Sequence, residues 1–380
     1  MLKRNNIVYI IDGLGMGGAE RLMIPVLKYL DRGMFYPRVC VLQDKDGNPI
    51  ADELRQLGVQ VDFLPVSYLR EFSAVPRIRS YLQNVNANLV HTQLEFGNIL
   101  GGIAAKSLGL PCVSTVHTIP SLEKRRKMKL HNMLELFILR VLFDVTIAVS
   151  EETRNYYVKF GRLNSTKVKT IYNGIDLSQF IESQKKEKRG IIRAELQIPS
   201  SARLIITVAV LRELKGIQYM LRAFPALLKK HPNTYYLIVG DGMYRETLVG
   251  EVEKLGLQRN VIFVGRRMDI PQLLSASDVF VLPTLTEALP TVLAEAMAAK
   301  LPVVACAVGG IPEMITEGVN GKLIPSKDPQ ALTDACEKLL DNPEQTTAMG
   351  EAGWQIVEEK FNITTQVNNL KELYLSLLSS

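Results

Sequence analysis

Cysteine and histidine are scarce, four of each in 380 residues. Cys40, Cys112, Cys306 and Cys336 lie far apart, with no CxxC and no Cys/His spacing, which argues against a structural zinc site and against a disulfide framework. The thiols read as reduced, those of an intracellular protein. Long apolar runs are missing too: none reaches the ~18 residues that a spanning helix needs. The opening MLKRNNIVYIID enters a strand at once and leaves no room for a signal peptide. These absences predict a soluble, cytoplasmic chain, with peripheral contact at the inner face of a membrane still open. Charge is not one-sided either. The 45 Lys and Arg against 39 Asp and Glu leave a net +6, too mild a bias to argue for nucleic acid.

What is present is an ordinary globular composition, 47% hydrophobic and 22% charged, which excludes disorder and low complexity. The length suits two domains. Apolar runs too short for helices recur at 6–12, 38–42, 59–63, 89–92, 112–116, 145–149 and 168–171. Helical patterns fall between most of them, the first over 19–30. Continuous apolar strands alternating with helices predict a parallel sheet covered on both faces. Between 172 and 188 the periodicity stops. NGIDLSQFIESQKKEKR reads as a turn and a charged stretch, the expected domain boundary. Strands resume at 204–208, 235–239, 261–264, 279–282 and 302–305, and a last helix is expected over 361–378. The class is α/β: two Rossmann-like, doubly wound parallel-sheet domains facing a cleft.

Gly13, Gly15, Gly17 and Gly18 lie between the first strand and the first helix. Glycines there let a backbone approach a ligand, and a helix N-terminus offers free N–H groups to a phosphate. Gly13-x-Gly15-x-x-Gly18 matches the dinucleotide fingerprint, a weak signal alone. A dinucleotide enzyme also wants an acidic residue at the end of the second strand. Asp44 stands there, in a polar loop, DKDGN, that reads equally as a turn. Asp44 and Asp46 form a D-x-D pair of the kind that can hold a divalent cation, but the spacing is common by chance and a solvated turn is the favoured reading.

The segment from Thr286 through Glu287, Ala288, Leu289, Pro290 and Thr291 to Glu295 follows an apolar strand and runs into a helix. Glu287 sits at the strand's carboxyl end, where open α/β sheets bind ligands, and Glu295 on the helix's first turns. Both can accept hydrogen bonds from hydroxyls. An acidic first turn complementing the helix dipole would explain Glu287 but less easily Glu295. Arg212 and Lys215 follow the strand LIITVAV and would suit a diphosphate, or form an ordinary polar loop. His117 ends a central strand. A solitary histidine is commonly structural, but this position weighs as much for a catalytic role. Five cations, Lys124, Arg125, Arg126, Lys127 and Lys129, precede the apolar stretch MLELFILRVLF. That stretch is expected in the core, with the cations free to meet anionic lipid.

Taken together, GLGMGGAE, STVHT at 114–118, SEETR at 150–154, YNGID at 172–176, LRELKG, VGDG at 239–242, EALPTVLAEAMA, PVVA at 302–305, GGIPE at 309–313 and NGKLIP at 320–325 resemble the retaining glycosyltransferases of family 4 (glycosyl transferase group 1), of the GT-B fold. The resemblance spans nearly the whole chain. It implies transfer of a hexose from a nucleotide sugar, UDP-linked rather than GDP-linked, to a saccharide or lipid-linked saccharide acceptor in surface polysaccharide assembly. Residues 1–183 would be the acceptor-side domain, 184–360 the nucleotide-sugar domain, and 361–380 a helix crossing back to the first. Glu295 would bind the ribose, and Glu287 with the backbone of Ala288, Leu289 and Pro290 would grip the sugar, beside Thr291. Lys215, with the Gly17 and Gly18 amides and Gly15 in the same loop, would neutralise the diphosphate. His117 would contact the donor sugar, and Asp241 and Gly242 would border the nucleotide. No metal or other cofactor is implied. Cations and N–H groups aimed at the leaving phosphate stabilise its charge. The phosphate can take the acceptor's proton, unlike the two-carboxylate arrangement of glycoside hydrolysis.

The commonest family form, G-R-L-x-x-x-K-G, places Arg where this chain has Val210, and Arg212 is the nearest cation. Two rival readings remain at this level. One is an NAD(P)-dependent oxidoreductase resting on the glycine loop. The other is a sugar-nucleotide-binding homologue without activity, resting on Val210.

Overall fold

A computed structural model describes residues 4–69, 71, 73–119, 130–183 and 186–379. The chain divides into two compact units, Met1–Gly174 with Ile363–Ser380, and Ile175–Asn362. The first is built on β1 (Asn5–Ile11), β2 (Phe35–Val41), β3 (Gln60–Phe63), β4 (Leu89–Gln93), β5 (Cys112–Val116), β6 (Val145–Ala148) and β7 (Val168–Thr170), in the order β3-β2-β1-β4-β5-β6-β7. The second has β8 (Arg203–Val208), β9 (Thr234–Val239), β10 (Val261–Gly265), β11 (Val279–Leu282), β12 (Val303–Cys306) and β13 (Gly321–Ile324), in the order β10-β9-β8-β11-β12-β13. Neighbouring strands pair in parallel throughout.

The continuous apolar runs account for this arrangement. In β1, Ile7, Tyr9 and Ile11 enter one core while Val8 and Ile10 enter the other, so both faces must be covered. Each sheet reverses its order once, between β1 and β4 and between β8 and β11. Loops leaving the carboxyl ends there diverge and open a crevice, so topology alone nominates those two places for ligands.

Several elements differ from the sequence expectation. The helix expected over 19–30 is two pieces, Gly18–Arg21 and Met23–Tyr29. Pro25 has no N–H to give the Arg21 carbonyl, so the ladder breaks at Leu22. The charged stretch before 188 is largely helical, Ser178–Ser183 and then Lys186–Glu195, and belongs to the second unit. Arg189 and Arg193, one turn apart, both bond Asp278, at 2.6 and 2.8 Å, and thereby dock that helix beside the start of β11. β13 is a four-residue edge strand, too short and too mixed to announce itself. The apolar stretch expected in the core is a helix, Leu130–Leu142, that is only half interior. Leu136, Ile138 and Leu139 are buried, whereas Met133, Phe137 and Val141, at i, i+4 and i+8, are 53%, 55% and 51% exposed. The five cations before it lie outside the described residues.

The C-terminal helix, Ile363–Leu378, packs Ile363, Val367, Leu370, Leu373 and Tyr374 into the core of the first unit against β1. Its polar anchor is a buried chain. Tyr374 Oη lies 2.9 Å from Tyr9 Oη and 2.5 Å from His91 Nδ1, and His91 Nε2 lies 2.7 Å from Thr115 Oγ1. Burial lowers the His91 pKa to about 3, so the ring is neutral and bridges two hydroxyls. Replacing Tyr374 by Phe keeps the ring's packing but strands two buried polar atoms. The expected cost is about 2 kcal/mol, read from the denaturant midpoint. Tyr9→Phe added to Tyr374→Phe should cost less than the two singles summed, because the members share one chain.

Candidate active site

At the second unit's switch point, the loop leaving β8 tightens into a 3-10 turn, Glu213–Lys215, and ends at Gly216 with φ +68°. A Cβ on Gly216 would lie 1.9 Å from the Pro283 carbonyl oxygen, so only glycine lets this loop touch the chain leaving β11. Contact is completed by Leu285 N donating to Leu214 O at 2.8 Å and Thr284 Oγ1 donating to the same oxygen at 3.2 Å. Lys215 Nζ is thereby brought 2.5 Å from Glu287 Oε1 in a half-buried ion pair. From the other side the loop after β12 closes in. A Cβ on Gly309 (φ +56°) would lie 1.6 Å from Glu287 O, and Gly310 N donates to Ala288 O at 3.1 Å.

Ala288, Leu289 and Pro290 are buried, and Pro290 caps the helix Thr291–Ala298, which starts at Thr291. Pro290 carries no N–H and its carbonyl already accepts Leu293 N at 3.1 Å, so N–H groups here come from its neighbours. Glu295 is half-buried on that helix between buried Ala294 and Ala296. Asp241 and Gly242, after β9, join the same loop cluster: Leu211 N donates to Asp241 O at 3.0 Å and Gly242 N to Asp241 Oδ1 at 2.8 Å. Arg212 is exposed, and Val210 is exposed beside it.

At the first unit's switch point, Gly13–Gly18 bends from β1 into the short helix Gly18–Arg21, whose N-cap is Gly17. The Lys45 side chain lies against Gly13 and Gly15, and Glu20 against Gly17, with Lys45 Nζ 3.4 Å from Glu20 Oε1. That pair of flexible side chains lies along the loop. DKDGN is a turn: Asp44 Oδ1 accepts Gly47 N at 2.9 Å, and Asn48 Oδ1 accepts Leu14 N at 2.7 Å. Asp44 is thus committed to its own loop. Among the described residues no group of three or more His, Cys, Asp or Glu is arranged to hold a metal ion.

His117 is half-buried just past β5, and its Nε2 lies 3.2 Å from Gln93 Oε1. Gln93 Nε2 donates to Met23 Sδ at 3.0 Å, which turns the amide oxygen toward the imidazole. His117 Nε2 therefore carries the proton, and Nδ1 is an acceptor. Burial lowers the His117 pKa to about 4, so the ring is uncharged at neutral pH.

Sequence reasoning passed over Asp12, Glu20, Lys45, Gln93, Glu95, Asn98 and Glu135. Asp12 had a signal, an acid directly at the end of the first strand. Its Oδ1 accepts Gly97 N at 2.9 Å across the switch point, and burial raises its pKa to about 6. Asn98 accepts from Thr92 Oγ1 at 2.7 Å and donates to Glu135 Oε1 at 2.8 Å, and burial raises the Glu135 pKa to about 7. Asp12, Lys45, Glu95, Asn98 and Glu135 line a cavity of about 240 Å³ at the carboxyl ends of β1, β4 and β5.

Comparison with known proteins fits this arrangement. Residues 188–355 match the family model described as glycosyl transferases group 1, and residues 16–179 match that described as Glycosyltransferase Family 4. The chain is 26% identical over 378 residues to the UDP-Gal:alpha-D-GlcNAc-diphosphoundecaprenol alpha-1,3-galactosyltransferase of Escherichia coli, covering 96% of this chain and 95% of that one. It is 26% identical to the N-acetyl-alpha-D-glucosaminyl L-malate synthase of Bacillus anthracis, over 81% and 80% of the two chains. Among solved structures, HepE of Anabaena in complex with UDP superposes with a TM-score of 0.87 at 23% identity, covering 98% of this chain and 100% of that one. With both halves matched by these models and each built as a doubly wound Rossmann-like domain, the chain belongs to the family 4, group 1 glycosyltransferases of the GT-B fold.

Proposed function

We propose that this glycosyltransferase is a retaining, metal-independent hexosyltransferase. Its donor is a UDP-linked sugar and its acceptor a saccharide or lipid-linked saccharide in polysaccharide or glycoconjugate assembly. The observation that carries the reading is the Lys215–Glu287 pair, set at the carboxyl ends of β8 and β11 by backbone contact at Gly216. The UDP assignment is supported by the UDP-Gal in the name of the Escherichia coli relative and the UDP bound to HepE.

In this reading Lys215 and Arg212 face the diphosphate, and Asp241 and Gly242 border the donor. Glu295 takes the ribose hydroxyls. Glu287, with Ala288, Leu289, Pro290 and Thr291, takes those of the sugar. As the bond from C1 to the phosphate oxygen breaks, negative charge grows on the leaving group and a fixed cation lowers the barrier. The acceptor oxygen forms its bond to C1 on the face the phosphate leaves, and its proton passes to a phosphate oxygen. His117, in the first unit, is neutral, and its Nδ1 can accept from a sugar hydroxyl. The oxidoreductase alternative has lost its support, since the family is one of transferases.

Peripheral membrane contact is part of the proposal. The exposed stripe Met133, Phe137 and Val141 follows in sequence on Lys124, Arg125, Arg126, Lys127 and Lys129, and apolar and cationic groups that are neighbours in sequence suit an anionic bilayer surface.

Three outcomes test these statements. UDP at a hundred times its Kd should stabilise the protein by roughly 2.7 kcal/mol in a thermal scan, where NAD and NADP should not, and Glu295→Ala should abolish the shift. A scan stabilised by NADP would overturn the reading. Lys215→Met should cut kcat by about 10²-fold or more with EDTA present throughout. Wild-type turnover that EDTA abolishes would remove metal independence, and absence of turnover with any acceptor would leave a sugar-nucleotide-binding homologue. Changing Lys124, Arg125, Arg126 and Lys127 to Gln should weaken sedimentation with anionic vesicles several-fold; unchanged binding removes the membrane contact.

A further inference from the structure

The cavity of about 240 Å³ in the first unit is large enough for one sugar ring, and its wall is chemically lopsided. Asp12, Glu95 and Glu135 line it, with Asn98, Thr115 and His117 between them. Lys45 is the one lysine or arginine among its described lining residues, and it is already paired with Glu20. The Glu135 carboxyl is fixed by Asn98 Nδ2, whose own carbonyl accepts Thr92 Oγ1, so that carboxyl cannot swing away without stranding a buried amide. Glu95 Oε1 is buried and has no hydrogen-bond partner among the described residues; His131 Nε2 lies 3.4 Å from it. Leu94, the bulky residue before it, is held at φ +65°, a conformation disfavoured for a leucine that persists only where its surroundings impose it.

A wall with three carboxyls has many acceptors to satisfy; its described lysine is engaged, and its other donors are the hydroxyls and amides of Asn98, Thr115, Thr118, Asn132 and Tyr157. What completes it is a group rich in O–H. A phosphate or a second carboxylate brings only further acceptors and charge of the wrong sign. We propose that this cavity holds the acceptor's reacting end as an uncharged, hydroxyl-bearing sugar ring, and that Glu95 and Glu135 select against acceptors with an anion beside the reacting hydroxyl. The inference rests on the transferase reading above and narrows its acceptor class. A lipid-diphosphate saccharide, whose anion sits across the ring from a reacting hydroxyl, fits. Malate and sugar phosphates with the anion adjacent do not. Burial raises the Asp12 pKa to about 6 and the Glu135 pKa to about 7, so the negative charge of the wall grows as the pH rises through that range.

The test is ligand-observed NMR on the full chain with UDP present. The probes are the methyl α-glycosides of glucose, galactose and N-acetylglucosamine, each beside its 6-phosphate. At least one neutral glycoside should bind ten or more times tighter than its phosphate. In Glu95→Gln with Glu135→Gln that ratio should fall below about three, with the neutral ligand weakened. Glu95→Gln alone, at a half-exposed position, should narrow the ratio in a fully folded protein, with the UDP-induced thermal shift retained as the check on folding. A phosphate that binds as well as its neutral partner, a ratio unmoved in both variants, or no glycoside binding while UDP still stabilises the chain would each overturn the proposal. Loss of UDP stabilisation in the wild type would instead strike the transferase reading.

Discussion

The second unit's site depends on backbone meeting backbone. Two carbonyl oxygens, Pro283 O and Glu287 O, stand where a Cβ on Gly216 or Gly309 would be, and no side chain can be accommodated by repacking around main-chain atoms. The loops after β8 and β12 are therefore clamped on the chain leaving β11 from both sides. That clamp puts the Lys215 ammonium on Glu287 although 72 residues separate them. A lysine and a glutamate on free loops would have lost rotamer freedom to find each other and gained little. Here the backbone has already been ordered, and the two side chains need only keep their rotamers. The pair is consequently a feature of geometry first and of stability second.

A different device serves the first unit. There the C-terminal helix is tied to the centre of the sheet by Tyr374, whose hydroxyl meets both Tyr9 on β1 and His91 on β4. The chain ends on Thr115, two residues before His117, and Gln93, two residues after His91, holds the His117 ring. Alternate residues on a strand share a face, so the anchoring histidine and the groups around the site histidine are set by the same two strands. A disturbance of the C-terminal helix therefore has a short route, through β4 and β5, to the crevice at their ends.

Strands, sheet class and the Lys215 and Glu287 motifs were legible because each is written in a few consecutive residues: an apolar run, a strand end, a glycine after a cation. β13 was not, since four residues with a glycine and a lysine carry no periodicity, and only pairing with β12 makes them a strand. The break at Leu22 was legible in principle, because Pro25 removes a specific donor, but the apolar period over 19–30 overrode it. The half-exposed helix Leu130–Leu142 misled for a related reason: hydrophobicity all round predicts burial, and Met133, Phe137 and Val141 stay outside. Least legible was the cluster of Asp12, Asn98 and Glu135. Asn98 meets Glu135 across 37 residues and Asp12 meets Gly97 across 85, and no local pattern encodes such distances.

Both units use the same device, a parallel sheet whose strand order reverses once, yet the two reversals are furnished with different chemistry. After β8 come Arg212 and Lys215, the lysine paired with Glu287. After β1, β4 and β5 come Asp12, Glu95 and Glu135, with one described lysine, Lys45, beside them. The same topology made both crevices and did not set their chemistry; the side chains brought in by loops that the sheets merely aim do so.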